Sequence, residues 1–353
     1  MALSRVRITA LRCLAQVELA LDAKRNFIFG ANGAGKTSIL EGIFVLGRGR
    51  SFRTRQTRRL VQRGQDAFAV YGELAGTAGP RRLGVSFNGG HLTKRIDGQD
   101  AAGMAALAEA LPVHSLDPSS HQLVEGAPSE RRRFLDWGVF HVERGYLESW
   151  KQYRRILSQR NAALKSGAAG PALRSWTAAL VERGAAVDAS RHSYVNLLAP
   201  LVAEFGQHLL EQPLSIEYRP GWATGQTLEA AVVAAERRDI LSRTTEVGPH
   251  RADLAIQLAG RRLQDEASRG QQKLAAAAMT LAQLAASAAD HAPSVLLVDD
   301  PAAELDAKSL RRLLELLERL PAQQVLTALS PAHLPSTRGY PVFHVERGGL
   351  RKV

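Results

Sequence analysis

The octapeptide Gly30-Ala31-Asn32-Gly33-Ala34-Gly35-Lys36-Thr37 restricts the fold more than any other stretch of this chain. The pattern G-x-x-x-x-G-K-T works only where a strand delivers the loop and a helix receives it. Both flanks fit. Asn26-Phe27-Ile28-Phe29 reads as a short buried strand, and Ser38 to Leu46 carries Ile39, Leu40, Ile43 and Phe44 at helical spacing. In such a loop the backbone N–H groups turn inward around an anion, and the helix N-terminus adds partial positive charge. Gly30, Ala31, Asn32, Gly33, Ala34 and Gly35 would wrap phosphate, Lys36 would reach the β- and γ-phosphates, and Thr37 would ligate Mg²⁺. A nucleoside triphosphate is the expected ligand.

With 353 residues, 45% of them hydrophobic and 23% charged, the chain can fill one large domain or two ordinary ones. Cys13 is the one cysteine, so an internal disulfide is excluded and a reducing cytosol suits the chain. No signal peptide is expected, and the uncharged run Leu274 to Ala289 is interrupted by Thr280, Gln283 and Ser287, which fits a packed helix better than a membrane span. Net charge is +12, and its placement is uneven. Between Glu41 and Asp66 lie Arg48, Arg50, Arg53, Arg55, Arg58, Arg59 and Arg63, with no carboxylate among them to neutralise them locally. Guanidinium forks suit phosphate oxygens, so this window is expected to contact a nucleic-acid backbone; a solvated basic face is the alternative.

Along the chain, the pattern predicts two edge strands within Met1 to Leu21 and an antiparallel meander over 67–98 turning at Asn88-Gly89-Gly90. A helix over Ser129 to Leu164 follows, then a turn at Ser166–Pro171 and a second helical run that Pro200 should kink or divide. The aromatic stripe of this pair reads as core. Leu214, Ile216 and Tyr218 predict a strand, Thr227 to Ser242 a helix, and Leu254, Ile256 and Leu258 a strand turning at Ala259-Gly260. A buried strand Val295–Val298, a helix from Ser309 to Leu320 and a strand Gln324–Leu329 close the pattern.

The strand Val295–Val298 ends in Asp299-Asp300. Buried parallel strands deliver such residues to the carboxyl edge of a sheet, where nucleotides bind. Asp299 would hold Mg²⁺, and Asp300 would orient or deprotonate the attacking water. Upstream, Ser268-Arg269-Gly270-Gln271-Gln272-Lys273 opens the alanine-rich helix and offers a second anion site without a lysine of the phosphate-loop kind. Two phosphate surfaces but one full pocket imply a twofold dimer that sandwiches nucleotide between copies.

Gly30–Thr37, Ser268–Gln272, Asp299–Asp300 and Ala303–Asp306 resemble the Walker A, signature, Walker B and D-loop motifs of ABC-type ATPases. The stretches Leu46–Arg53, Ser129–Trp137, Gln159–Leu164, Tyr218–Trp222 and Gly248–Leu254 are similar, end to end and in order, to the RecF family, relatives of SMC heads. The resemblance implies an α/β P-loop ABC/SMC-type ATPase head with an inserted, mainly helical lobe. The expected layout is 1–115 and 241–353 for the head and 116–240 for the lobe. It further implies an ATP-dependent homodimer on double-stranded and single-stranded or gapped DNA, slow and DNA-stimulated hydrolysis, and work with RecO and RecR in placing RecA, in replication restart and in the SOS response. Carried over by position, Lys36, Ser268 and Asp300 are catalytic. Ser268, Gly270 and Gln271 join the phosphate loop as nucleotide-binding residues, Asp306 faces the partner's nucleotide, and Arg12 is the candidate for base contact.

Departures from the family pattern are local: Ser119 stands where an acidic residue is usual after the proline, Ala267 where a leucine is common, and the histidine close behind Gln324–Leu329, His333, lies past Pro331 and is not assigned as a switch residue. His250 reads equally as loop-stabilising or functional. A transporter ATPase and a scaffold that uses ATP as structural glue remain as rival classes on sequence alone.

Overall fold

The computed structural model describes residues 2–76, 79–288, 294–333 and 337–353; Met1 and Ala289, which begin and end two of the stretches above, lie outside them. The chain divides into two compact units, one of residues 1–120 with 288–353, the other of residues 121–287.

The first unit holds two sheets with a helix between. An antiparallel sheet runs in the order Leu14–Ala20, Ala2–Leu11, Ala67–Ala75, Arg81–Asn88, His91–Ile96, Gln99–Asp100. Alternation in Ala2–Leu11 turns Val6 and Ile8 inward, a register shift between Leu3 and Arg5 brings Leu3 inward as well, and Val70, Leu83 and Val85 are buried with them. Only one of the two predicted edge strands is an edge. Ala2–Leu11 pairs with Leu14–Ala20 on one side and with Ala67–Ala75 on the other, because a two-residue turn at Arg12-Cys13 folds the hairpin tightly.

The second sheet is ordered Gly349–Lys352, Val342–Glu346, Arg25–Phe29, Gln323–Ala328, Val295–Val298, Val113–Leu116. All neighbours are parallel except the C-terminal hairpin pair. Its central strands are buried at every position, as parallel strands covered on both faces are. The helix Lys36–Arg48 lies in the apolar core with residues of both sheets, and burial is continuous from Ser38 to Gly47. An all-round buried helix is therefore what fixes the phosphate loop at its N-terminus.

The second unit packs helices Pro128–Val142, Tyr146–Lys165, Pro171–Leu210 and Leu228–Ser242 with a small antiparallel sheet ordered Arg261–Arg262, Asp253–Leu258, Leu214–Arg219. Two expectations change here. The run Ser129 to Leu164 is two helices, broken around Gly145, whose backbone is left-handed. Pro200 does not divide the long helix, which runs unbroken from Pro171 to Leu210. This unit continues to Ser287, beyond position 240, because Asp253–Leu258 pairs with Leu214–Arg219 and draws the following residues with it. Tyr153, Tyr194 and Phe205 of the aromatic stripe are core, while Trp150 and Trp176 are half-buried. At the centre the fully buried Arg160 pairs with the equally buried Asp239 at 2.7 Å, and the same nitrogen donates to Thr245.

Candidate functional site

The strands Arg25–Phe29 and Val295–Val298 flank Gln323–Ala328, and all three end at one edge of the sheet. The phosphate loop leaves the first of these strands there. Gly35 has φ 120°, a conformation other residues resist, and a Cβ on it would lie 2.9 Å from the Leu14 side chain. Gly30 is required for a different reason: its Cβ would fall 2.3 Å from the carbonyl oxygen of Val345. Lys36 is buried, and its Nζ donates to the carbonyls of Gly30 at 2.6 Å and Ala31 at 3.2 Å. The ammonium is thus held over the loop where an anion would take its place among the donors.

The two aspartates emerge beside it. The Thr37 hydroxyl donates to Asp299 Oδ2 at 2.8 Å, and the Thr327 hydroxyl donates to Asp299 Oδ1 at 2.8 Å. The same Thr327 oxygen accepts from the Asp300 N–H at 2.9 Å, which fixes Asp300 in a left-handed turn of φ 42°. Burial pushes the Asp299 carboxyl above the usual carboxylate range. The hydroxyls of Thr37 and Thr327 oppose the shift, and the charges of Asp117 and Asp300 add to it. A cation beside it would favour the charged form. The 2.8 Å between Thr37 Oγ1 and Asp299 Oδ2 also suits adjacent corners of a magnesium octahedron, which lie about 3 Å apart. Among the described residues no three His, Cys, Asp or Glu side chains are placed to hold a metal, so phosphate oxygens and water would complete the shell, as is usual for Mg²⁺. Asp300 Oδ1 is buried without a hydrogen-bond partner, a second sign that a polar ligand or water belongs here.

These groups line a cavity of about 800 Å³ together with Arg12, Cys13, Arg53, Gln62, Arg63, Pro118 and Glu304. Its lining brings Ala31, Asn32, Gly33, Gly35, Lys36, Thr37, Asp299 and Asp300 together with Arg12. Arg12 sits in the left-handed region at φ 58° and forks onto both oxygens of the buried Glu41 at 2.8 Å. That contact raises the guanidinium's pKa against the opposing effect of burial. Asp117 accepts from the Ser119 N–H and from Ser115 Oγ, both at 2.9 Å, so the loop with the atypical serine is closed by its own aspartate.

Ser268, Gly270 and Gln271 belong to the second unit and are not part of this lining. Ser268 Oγ accepts from the Gln271 N–H at 3.3 Å and the Gln271 side chain accepts from the Ser268 N–H at 3.0 Å, a reciprocal cap on the helix Arg269–Ala288. The amides of Arg269 and Gly270 fall in the turn that has no intrahelical acceptor. Asp306 caps the helix Ala307–Arg319 through the N–H groups of Lys308 and Ser309. His250 is structural in its contacts: Nδ1 accepts from the Tyr153 hydroxyl at 2.7 Å, and Nε2 donates to the Thr245 carbonyl at 2.8 Å.

Of the seven arginines, Arg50, Arg53, Arg55, Arg58, Arg59 and Arg63 are exposed. Arg48 is turned in, with Nε donating to the Val113 carbonyl at 3.0 Å and its guanidinium over the Phe44 ring. The expectation that no carboxylate neutralises the segment also changes. Glu41, buried in the phosphate-loop helix, lies 3.6 Å from Arg53. Thr327 and Glu41 were the residues missed. A threonine beside the apolar pair Val325-Leu326 and a glutamate set between Ile39-Leu40 and Ile43-Phe44 were the available signals.

The family model for the RecF/RecN/SMC N-terminal domain matches residues 2–348. The chain is 39% identical to the DNA replication and repair protein RecF of Thioalkalivibrio sulfidiphilus, over 99% of both chains. It is 40% identical to that of Pseudomonas putida, over 100% of this chain and 99% of the relative. The solved recombination mediator protein RecF of the RecFOR pathway, as RecF-ATPrS, aligns with a TM-score of 0.85 at 25% identity over 99% of this chain and 98% of that one. An Smc head bound to the C-winged helix domain of ScpA shares the fold, with a TM-score of 0.61 at 14% identity over 100% of this chain and 97% of that one. No helix among the described residues is long and apolar enough to cross a membrane. With its phosphate loop, paired aspartates and head fold, the chain belongs to the RecF family.

Proposed function

We propose that this chain is an ATP-gated DNA clamp of recombinational repair. The observation that carries the reading is the hydrogen-bonded chain Thr37–Asp299–Thr327 at the strand ends beside the phosphate loop. Lys36 would exchange its loop carbonyls for the β- and γ-phosphates, and Thr37 and Asp299 would hold Mg²⁺, which would supply neutralisation of the charge developing on the phosphoryl oxygens. Asp300 uses its unpartnered Oδ1 to orient water and take its proton. Arg12 would meet the base. Ser268 of a second copy accepts from its own Gln271 N–H and keeps its hydroxyl hydrogen for the γ-phosphate, with Gly270 and Gln271 beside it. Nucleotide would therefore join two copies.

The exposed arginines from Arg50 to Arg63 would take double-stranded and gapped DNA through its phosphates, with Arg48 supporting the segment from within. Weak, DNA-stimulated hydrolysis would reset the clamp in the cytoplasm. RecO and RecR, RecA loading, replication restart and SOS induction follow the family and complete the proposal. Sedimentation velocity with ATP, magnesium and a gapped duplex tests it. The wild type should move from one copy to two only with nucleotide. Asp300→Asn should hold the dimer on DNA with turnover reduced about a hundredfold or more, and Lys36→Met should stay single. One copy under every condition would overturn the reading.

A further inference from the structure

Glu41 is the fifth residue after Lys36, fully buried between the apolar pairs Ile39-Leu40 and Ile43-Phe44, and the proposed chemistry does not use it. A buried carboxylate is retained only where charge and hydrogen bonds satisfy it. Here it receives the Arg12 fork at 2.8 Å on each oxygen, the Ser51 hydroxyl, and Arg53 at 3.6 Å. Both arginines line the nucleotide cavity. Arg12 also fastens the far end of the basic segment, donating Nη1 to the Arg59 carbonyl and its own N–H to the Leu60 carbonyl, at 2.8 and 2.7 Å. Ser51 fastens the near end, its oxygen accepting from the N–H groups of Arg53 at 2.9 Å and Thr54 at 3.1 Å. One carboxylate thus holds the phosphate-loop helix, two cavity-lining cations and both ends of an exposed cationic segment. Of the five guanidinium N–H bonds of Arg12, three are engaged within the protein, which leaves two for a ligand.

We propose that Glu41 is a positioning residue: it sets the plane of Arg12 and the reach of Arg53 at the nucleotide cavity, and so transmits nucleotide occupancy to the cationic segment Ser51–Arg63. The inference rests on the nucleotide reading of that cavity. When a bound triphosphate draws on Arg12 or Arg53, the charge facing Glu41 changes, and the segment pinned by the same guanidiniums shifts its equilibrium. By reciprocity, a polyanion seated on the segment changes nucleotide affinity by the same factor.

Hydrogen exchange of the full-length protein with and without ATPγS and magnesium separates the two claims. In the wild type, nucleotide should protect residues 30–38 and also alter exchange over 51–63. In Glu41→Gln, which keeps size and removes the charge, protection at 30–38 should remain with affinity lowered about tenfold, the loss of one charge-assisted contact. The response at 51–63 should disappear, and Glu41→Asp should restore part of it. Should Glu41→Gln fail to fold, Arg53→Gln, at a side chain 48% exposed, removes the outer link and should reduce the response at 51–54. A variant protected at 30–38 whose 51–63 response equals the wild type's overturns the inference and leaves the nucleotide reading standing. Absence of protection at 30–38 in the wild type overturns both.

Discussion

Thr327 carries much for one buried hydroxyl, donating to Asp299 while accepting from the Asp300 N–H. Thr327→Val keeps the shape and strands both groups, so turnover should fall at least tenfold with nucleotide affinity little changed, and Thr327→Ser should recover most of it. Steady-state kinetics beside a nucleotide titration checks the split. Asp299 gives an opposite pair of outcomes. Burial raises its pKa above the unfolded value, so its ionisation weakens the fold as pH rises through the ordinary carboxylate range and beyond. Asp299→Asn should therefore raise the melting temperature of the nucleotide-free protein at neutral pH while abolishing magnesium-dependent binding. Calorimetry with and without Mg-ATP reads both. Asp299 and Lys36 are legible in sequence because strand, loop and chemistry sit side by side. Thr327 is 28 positions from Asp299, and Glu41 is 29 from Arg12, and neither separation leaves a local pattern.

Elements show the same division. The Lys36–Arg48 helix and the Val295–Val298 strand could be read from apolar periodicity, whereas Val113–Leu116 hides a histidine and a serine in a four-residue strand. That strand exists because Val295–Val298 is there to pair with it. Pro200 persists inside a helix where isolated rules predict a break, since flanking Leu198, Val202 and Phe205 are all packed in the core. The loop that carries His250 is sensitive to acid. Burial lowers the imidazole to about 4, aided by Arg251, Arg132 and Arg154 and opposed by its bond to the Thr245 carbonyl. The unfolded chain takes up this proton near pH 6.5 and the folded one resists, so stability is full above that pH and drains away as pH falls toward 4. Unfolding free energy should drop by about 2–3 kcal/mol across that window from this group alone. His250→Gln should flatten the slope, measured by urea titration at stepped pH.

At the scale of the molecule, six exposed arginines of one short segment match half of the net charge of +12. Binding that depends on them should weaken steeply with salt, because each phosphate neutralised releases counterions. Replacing Arg58 and Arg63 together should lower the slope of log affinity against log salt by about two, across all duplex sequences alike. Fluorescence anisotropy between low and moderate salt measures it; an unchanged slope would move the contact elsewhere. The α/β head and its helical insertion could be inferred from the order of motifs. The extent of the second unit could not, since it is set by pairing between Leu214–Arg219 and Asp253–Leu258, which no single window contains.

The carbonyl of Val345 presses on Gly30 so closely that no side chain fits between them. The wall of the phosphate loop is thus translated about 300 residues after the loop itself, some tens of seconds later at bacterial synthesis rates. A ribosome-bound nascent chain halted before Val342 carries a finished octapeptide with one flank bare, and occupancy by fuel would then mark a polypeptide whose final hairpin has already docked.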